Sequence, residues 1–249
     1  MIEGLRRPPR EPAVTRTIKS RVIVIDGREL PLVVRRLRHA RRLTLRLAPD
    51  GREVRVSMPS WGRVGDAVEF ARLRSGWLAA QLARLPEPQV VAPGATLAYR
   101  GETLRIDWHD QAPRRPVLDD GALVLGGPHE SMDARIRRWL ESEALRLCAD
   151  DLAHYCALGG HAVPRLALSR AQRRWGSCAA DGSIRINWRL VMAPDFVRRS
   201  VVAHEVAHLR HFDHSPAFHA ELARMFEGDV DDANRWLKRE GRALYRQFG

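Results

Sequence analysis

The pentapeptide His204-Glu205-Val206-Ala207-His208 constrains this 249-residue chain more than any other feature. Positions i and i+4 of an α-helix share one face, about 6 Å apart along the axis. Two imidazoles placed so can converge on one metal ion at about 2 Å each. Glu205 follows the first histidine and is rotated about 100° from it. Its carboxylate therefore stays near the metal but outside the ligand set, where a general base takes a proton from a zinc-bound water. The flanks fit a buried helix: Val197, Val201 and Val202 lead in, and Val206 and Leu209 follow. Two histidines and a glutamate on such a helix are costly without a partner such as a metal.

A catalytic zinc takes a third protein ligand and keeps one position open. His211, His214 and His219 follow the motif. His211 shares the face of His204, but three histidines in a row along one helix cannot wrap one ion, since the end members stand about 10 Å apart. On a continuous helix His214 points about 240° away from His208. The sequence breaks that helix first: His214-Ser215-Pro216 reads as a new start, with Ser215 as N-cap and Pro216 at the first helical position. His214 then sits on a tight turn that can fold back over the metal. It is the preferred third ligand, with Glu221 and His219 on the next helix as alternates. His211 and His219 otherwise read as groups beside the ligands or at the surface.

The first half of the chain reads as β-rich. Asp26-Gly27, Asp50-Gly51 and Asp120-Gly121 separate apolar or alternating runs, and Arg100-Gly101 marks a fourth turn. Residues 64–84 read as one helix, and 85–94 as a linker. The second half changes character. A long amphipathic helix is expected over 131–160, started by Ser131 or Asp133 and stopped by Gly159-Gly160. A strand over 164–170 follows, then a hairpin turning at Asp181-Gly182. Helices are expected over 194–211, over 216–226 and from Asp231 onward. No internal repeat of 20–50 residues is visible. The expected division is a flexible basic tail (1–18), a β-rich region with one helix (19–128) and a metal-binding domain (129–249).

Cys148, Cys156 and Cys178 are too few and too odd in number for a disulfide framework. Cys148 and Cys156 fall about 12 Å apart on one helix, beyond the reach of a bridge, and read as small buried apolar groups. Cys178 is not favoured as a ligand, because a thiolate there would occupy the open position. The net charge is +12 and nearly all of it is arginine, the only lysines being Lys19 and Lys238. The arginines spread along the chain, which suits weak, nonspecific attraction to nucleic acid more than a dedicated recognition surface. No stretch approaches the roughly 20 apolar residues that span a bilayer. The basic, Pro-rich N-terminus has no apolar core, so a cytoplasmic protein is expected.

Four elements occur in order along the second half: Trp175-Gly176-Ser177-Cys178; Asn187-Trp188-Arg189-Leu190; His204 to His208; and Asp213-His214-Ser215 with Phe218. Together they resemble the YgjP-like metallopeptidase family, relatives of the SprT-like zinc proteases. The resemblance is strong over about 165–220 and looser in the N-terminal half, where basic hairpins and the segment Ser75-Gly76-Trp77-Leu78 carry it. It implies a zinc ion bound by His204, His208 and His214, with Glu205 as catalytic base. Many relatives have a tyrosine near Ser200; this chain has none there.

The expected fold is therefore α+β, a zincin-like C-terminal metallopeptidase domain beside an N-terminal β-hairpin-rich region. Trp175 and Trp188 are expected in the core beneath the metal helix, and Asn187 to bond backbone. An exposed strand edge beside that helix would hold an extended peptide by strand addition. The expected reaction is zinc-assisted hydrolysis of a peptide bond. The alternatives are a nucleic-acid-associated protease acting on DNA-bound proteins, and hydrolysis of a non-peptide amide.

Overall fold

The computed structural model describes residues 17–85 and 89–248. The tail expected over 1–18 lies outside them as far as residue 16. The fold is mixed α+β, and the chain divides into two compact units between Leu85 and Pro86, inside the segment read as a linker. Among the described residues no helix is long and apolar enough to cross a membrane.

The first unit holds β1 (Thr17–Ile25), β2 (Arg28–Leu37), β3 (Thr44–Leu47) and β4 (Val54–Pro59), in the sheet order β1-β2-β4-β3. Asp26 and Gly27 take φ of 48° and 75°, the left-handed pair that a tight two-residue hairpin turn requires. The central strands β2 and β4 run parallel, and Leu32, Val34, Val54, Val56 and Met58 form the core. The helix expected over 64–84 is two helices, α1 (Val64–Leu73) and α2 (Ser75–Ala83). They break at Arg74 (φ −106°, ψ 17°), where the Ser75-Gly76 pair weakens the continuous ladder.

The second unit repeats the four-strand topology. β5 (Thr96–Tyr99), β6 (Glu102–Trp108), β7 (Val117–Asp119) and β8 (Ala122–Leu125) lie in the order β5-β6-β8-β7, again with the two central strands parallel. The recurrence, from Thr17 to Thr96, falls outside the 20–50-residue range in which no sequence repeat is visible. It is hidden in the sequence because only the turn chemistry and the apolar alternation recur, not the residues.

α3 (Met132–Gly159) runs 28 residues and stops at Gly160, which takes φ 69°. Met132, Ile136, Leu140, Ala144, Leu147, Cys148, Tyr155 and Cys156 form its buried stripe. Both of those cysteines are free, as their spacing implied. A three-stranded sheet follows, with β11 (Ile184–Asn187) between β10 (Gly176–Cys178) and β9 (Leu166–Ser169). Then come α4 (Asp195–Ala207), α5 (Pro216–Met225) and α6 (Val230–Glu240). α4 ends four residues before the expected 211. Its last turn tightens, with Leu209 N–H bonding Val206 O and Arg210 N–H bonding Ala207 O.

Ion pairs fix α4 from two sides. Arg100, in the β5–β6 turn, meets Asp195 at the start of the helix, 2.5 Å away. Arg198, 3% exposed, donates to Asp151 on α3 at 2.7 Å and also to Asp195. These two guanidiniums hold the Asp195 carboxyl below the usual carboxylate range against the opposing effect of its burial. Breaking a buried pair leaves an uncompensated charge. Arg198→Met is therefore expected to lose about 3–5 kcal/mol in urea unfolding, and Asp151→Leu/Arg198→Met to recover most of it.

Candidate metal centre

α4 carries the motif, and the chain that leaves it turns at once. Residues 208–215 form the turn, and Ser215 then caps α5, its Oγ accepting from the Phe218 N–H at 3.4 Å, with Pro216 at the first helical position. Asp213 Oδ1 accepts from the Ser215 N–H. This cap chemistry sets His214 directly before a helix start and brings it over the face of α4.

His204 Nε2 lies 3.2 Å from His208 Nε2 and 3.2 Å from His214 Nε2. The ligand atoms of all three lie within 4.8 Å of one another, and among the described residues no other group of three or more metal-ligating side chains converges so. Nitrogens about 2.0–2.1 Å from one tetrahedral ion stand ~3.4 Å apart, so the two separations from His204 Nε2 suit a small tetrahedral ion such as zinc. Proton placement fits as well. His208 Nδ1 lies 2.9 Å from the His211 carbonyl oxygen. A carbonyl only accepts, so Nδ1 carries the hydrogen and Nε2 presents a bare lone pair. Burial, then the neighbouring His208 and His214, pushes the His204 imidazole down to about 4, which keeps it neutral and ligand-competent.

Phe218 is fully buried and supports the cluster from below. Its ring centroid stands 4.9 Å from His204, 4.6 Å from His208 and 4.8 Å from His214. Its sequence signal was only its place in the Asp213-His214-Ser215 element, which says nothing of this contact.

Glu205 is 6% exposed. Burial pushes its carboxyl up to about 7, against a hydrogen bond from the Cys178 backbone N–H and the charge of Arg174. Gly176 lies against it: an added Cβ would stand 2.3 Å from Glu205 Oε1 and 2.7 Å from Cγ. The glycine is therefore required for the carboxylate to sit where it does, a relation between residues far apart in sequence that no spacing rule reveals.

The remaining candidates lie elsewhere. Glu221 is buried in ion pairs with Arg224 and Arg210. The His219 ring stands 6.5 Å from that of His214, outside the converging group. His211 contributes its carbonyl to the cluster. Cys178 is not in the converging group, and burial and the nearby Glu205 raise its thiol above the ordinary range. Trp188 is 1% exposed, Trp175 packs against the same core, and Asn187 Nδ2 donates to the Ala171 carbonyl at 2.7 Å.

In the nearby sheet β11 is central and β10 and β9 are the edges; β10 is the edge beside α4, and β9 packs against α3. Asn187 N–H bonds Trp175 O and Ala179 N–H bonds Ser183 O, so by antiparallel alternation Gly176 and Cys178 turn their backbone groups to the free edge.

A model of the YgjP-like family, described as the YgjP-like metallopeptidase domain, matches residues 41–240. No curated protein matches the chain. Among solved structures, the crystal structure of the metallopeptidase zymogen of Pyrococcus abyssi abylysin matches at 21% identity and a TM-score of 0.34. The match covers 41% of this chain and 99% of that one.

The two later histidines separate cleanly by metal titration. Because the His211 contribution is a backbone carbonyl, His211→Ala is expected to leave zinc affinity nearly unchanged. His214→Ala is expected to weaken it by more than the roughly 100-fold that loss of a group behind a ligand costs.

Proposed function

The chain belongs to the YgjP-like metallopeptidase family, and from that premise we propose that it hydrolyses peptide bonds at a zinc ion held by His204, His208 and His214, with Glu205 as general base. The observation that carries this reading is the pairing of three convergent imidazoles with a buried carboxylate one residue from the first of them. When bound, zinc would polarise the scissile carbonyl and lower the pKa of its water to about 7.

The chain's own residues do the rest. Glu205 takes the proton of the attacking water and delivers it to the departing amide nitrogen. Burial favours the protonated form of this carboxyl, so the group that takes the proton as base can also give it up as acid. The Cys178 N–H fixes its orientation, and Gly176 leaves it room. The outward backbone groups of β10 that Glu205 leaves free, the Gly176 N–H and the carbonyls of Gly176 and Cys178, accept an extended substrate by strand addition, beside the helix that carries the base. We assign the zincin-like catalytic region to 129–249, the substrate to peptides or unfolded proteins, and no covalent intermediate to the reaction.

Two substitutions test the role of Glu205 from opposite sides. Glu205→Gln keeps the shape but cannot accept a proton. It is expected to retain zinc content and melting behaviour while hydrolysis of casein falls at least about 100-fold. Full activity in this variant overturns the base assignment, and loss of zinc together with activity makes Glu205 a ligand instead. Gly176→Ala leaves every proposed chemical group in place but forces the carboxylate aside. It is expected to keep zinc and to lose on the order of 100-fold in kcat, the cost of a misplacement of about 1 Å.

A further inference from the structure

The N-terminal half of α3 holds a second concentration of charge. Arg135, Arg138, Trp139 and Ser142 stand at i, i+3, i+4 and i+7, one face of the helix. With Arg114 and Arg115, from the segment between β6 and β7, they line a cavity of about 360 Å³. That volume falls in the range of small-ligand sites. The one carboxylate on its wall, Glu143, is already engaged by Tyr99 at 2.9 Å and Arg146 at 2.7 Å.

Arg135 is the anchor of the cavity. It is 7% exposed. Its terminal nitrogens donate to the carbonyl oxygens of Arg114, Gly126 and Pro128, and its Nε has no partner. Those carbonyls orient the guanidinium without neutralising it. No carboxylate pairs with Arg135, Arg114, Arg115 or Arg138 among the described residues. Burial, reinforced by Arg114 and Arg138, disfavours the charged form of Arg135. A buried cation without a counter-ion is costly, and placing three more guanidiniums beside it raises that cost. The arrangement is stable in itself only at a penalty that a multiply charged anion removes.

We propose that this cavity binds a compact anion bearing two or more phosphate groups, the chemistry shared by inorganic polyphosphates and nucleoside polyphosphates. Planar guanidinium forks match phosphate oxygens in pairs; the exposed Arg114, Arg115 and Arg138 supply the forks, and Arg135, its terminal donors spent on carbonyls, supplies a fixed positive charge behind them. Ser142 adds a hydroxyl donor, and Trp139 an aromatic wall. A concave site of this size suits a compact anion better than a nucleic-acid strand, which needs a continuous track. The site is separate from the histidine cluster. Asp151, the α3 residue that holds α4, lies sixteen positions beyond Arg135, about 24 Å along the helix.

Isothermal titration of the full chain with tripolyphosphate, ATP and a short single-stranded oligonucleotide tests this. Tripolyphosphate is expected to bind at one per chain and to raise the melting temperature. Arg114→Ala and Arg138→Ala alter side chains without ion pairs, so both should melt like the wild type in the absence of ligand. Each is expected to weaken binding at least about tenfold, the effect of one charge-assisted contact. Arg165→Ala and Arg242→Ala, elsewhere on the surface, should leave affinity unchanged. ATP binding as tightly as tripolyphosphate means that only phosphates are read; tighter binding of ATP means that the Trp139 wall also reads the base. The proposal is overturned if tripolyphosphate does not bind, if both variants bind it like the wild type, or if the control substitutions weaken it equally. It is also overturned if the oligonucleotide binds more tightly through the same arginines.

Discussion

Three imidazole lone pairs aimed at one point are the constraint on which the rest of the second unit depends. One comes from the last turn of α4, one from its C-cap His208 and the third from the turn that follows, so the helix must end at His208. The rings satisfy one another only in part: His204 Nε2, 3.2 Å from both other Nε2 atoms, can share one hydrogen with one of them, the His208 Nδ1 hydrogen is committed to the His211 carbonyl, and burial keeps His204 neutral. Such a group is poised for a cation and unfavourable without one.

The surrounding fold holds that convergence rigid. Phe218 packs under all three rings, and it is placed by the cap that starts α5, so one short segment both supplies His214 and supports the other two imidazoles. On the far side, the pair between Arg198 and Asp151 ties α4 to α3 in the core. β10 closes the arrangement, giving the Cys178 N–H to Glu205 and leaving no side chain at Gly176 to compete with it. Helix, turn and strand edge thus meet at a carboxylate and three imidazoles, the groups that metal-assisted hydrolysis requires.

What could be read from the sequence was local. The four hairpin turns follow from their glycines, the i, i+4 histidines from helix periodicity, and the position of His214 from the Ser215-Pro216 start signal. Tertiary relations were not readable. The parallel pairing of β2 with β4 and of β6 with β8 joins strands across one intervening strand, which no short window encodes. The break at Arg74 required weighing Ser75-Gly76 against an apolar pattern that continues through both helices. The role of Gly176 depends on a contact 29 positions away with Glu205, and the arginine cavity gathers a loop and a helix whose charges look scattered along the chain.

We propose that His204, His208 and His214, and no sulfur, hold the metal. X-ray absorption at the zinc edge of the loaded protein reads the ligand set directly. Three imidazoles at about 2.0 Å with one further oxygen are expected, and no scatterer at the ~2.3 Å of a zinc–thiolate bond. A sulfur at that distance, which Cys178 would supply, or fewer than three imidazoles, would contradict it.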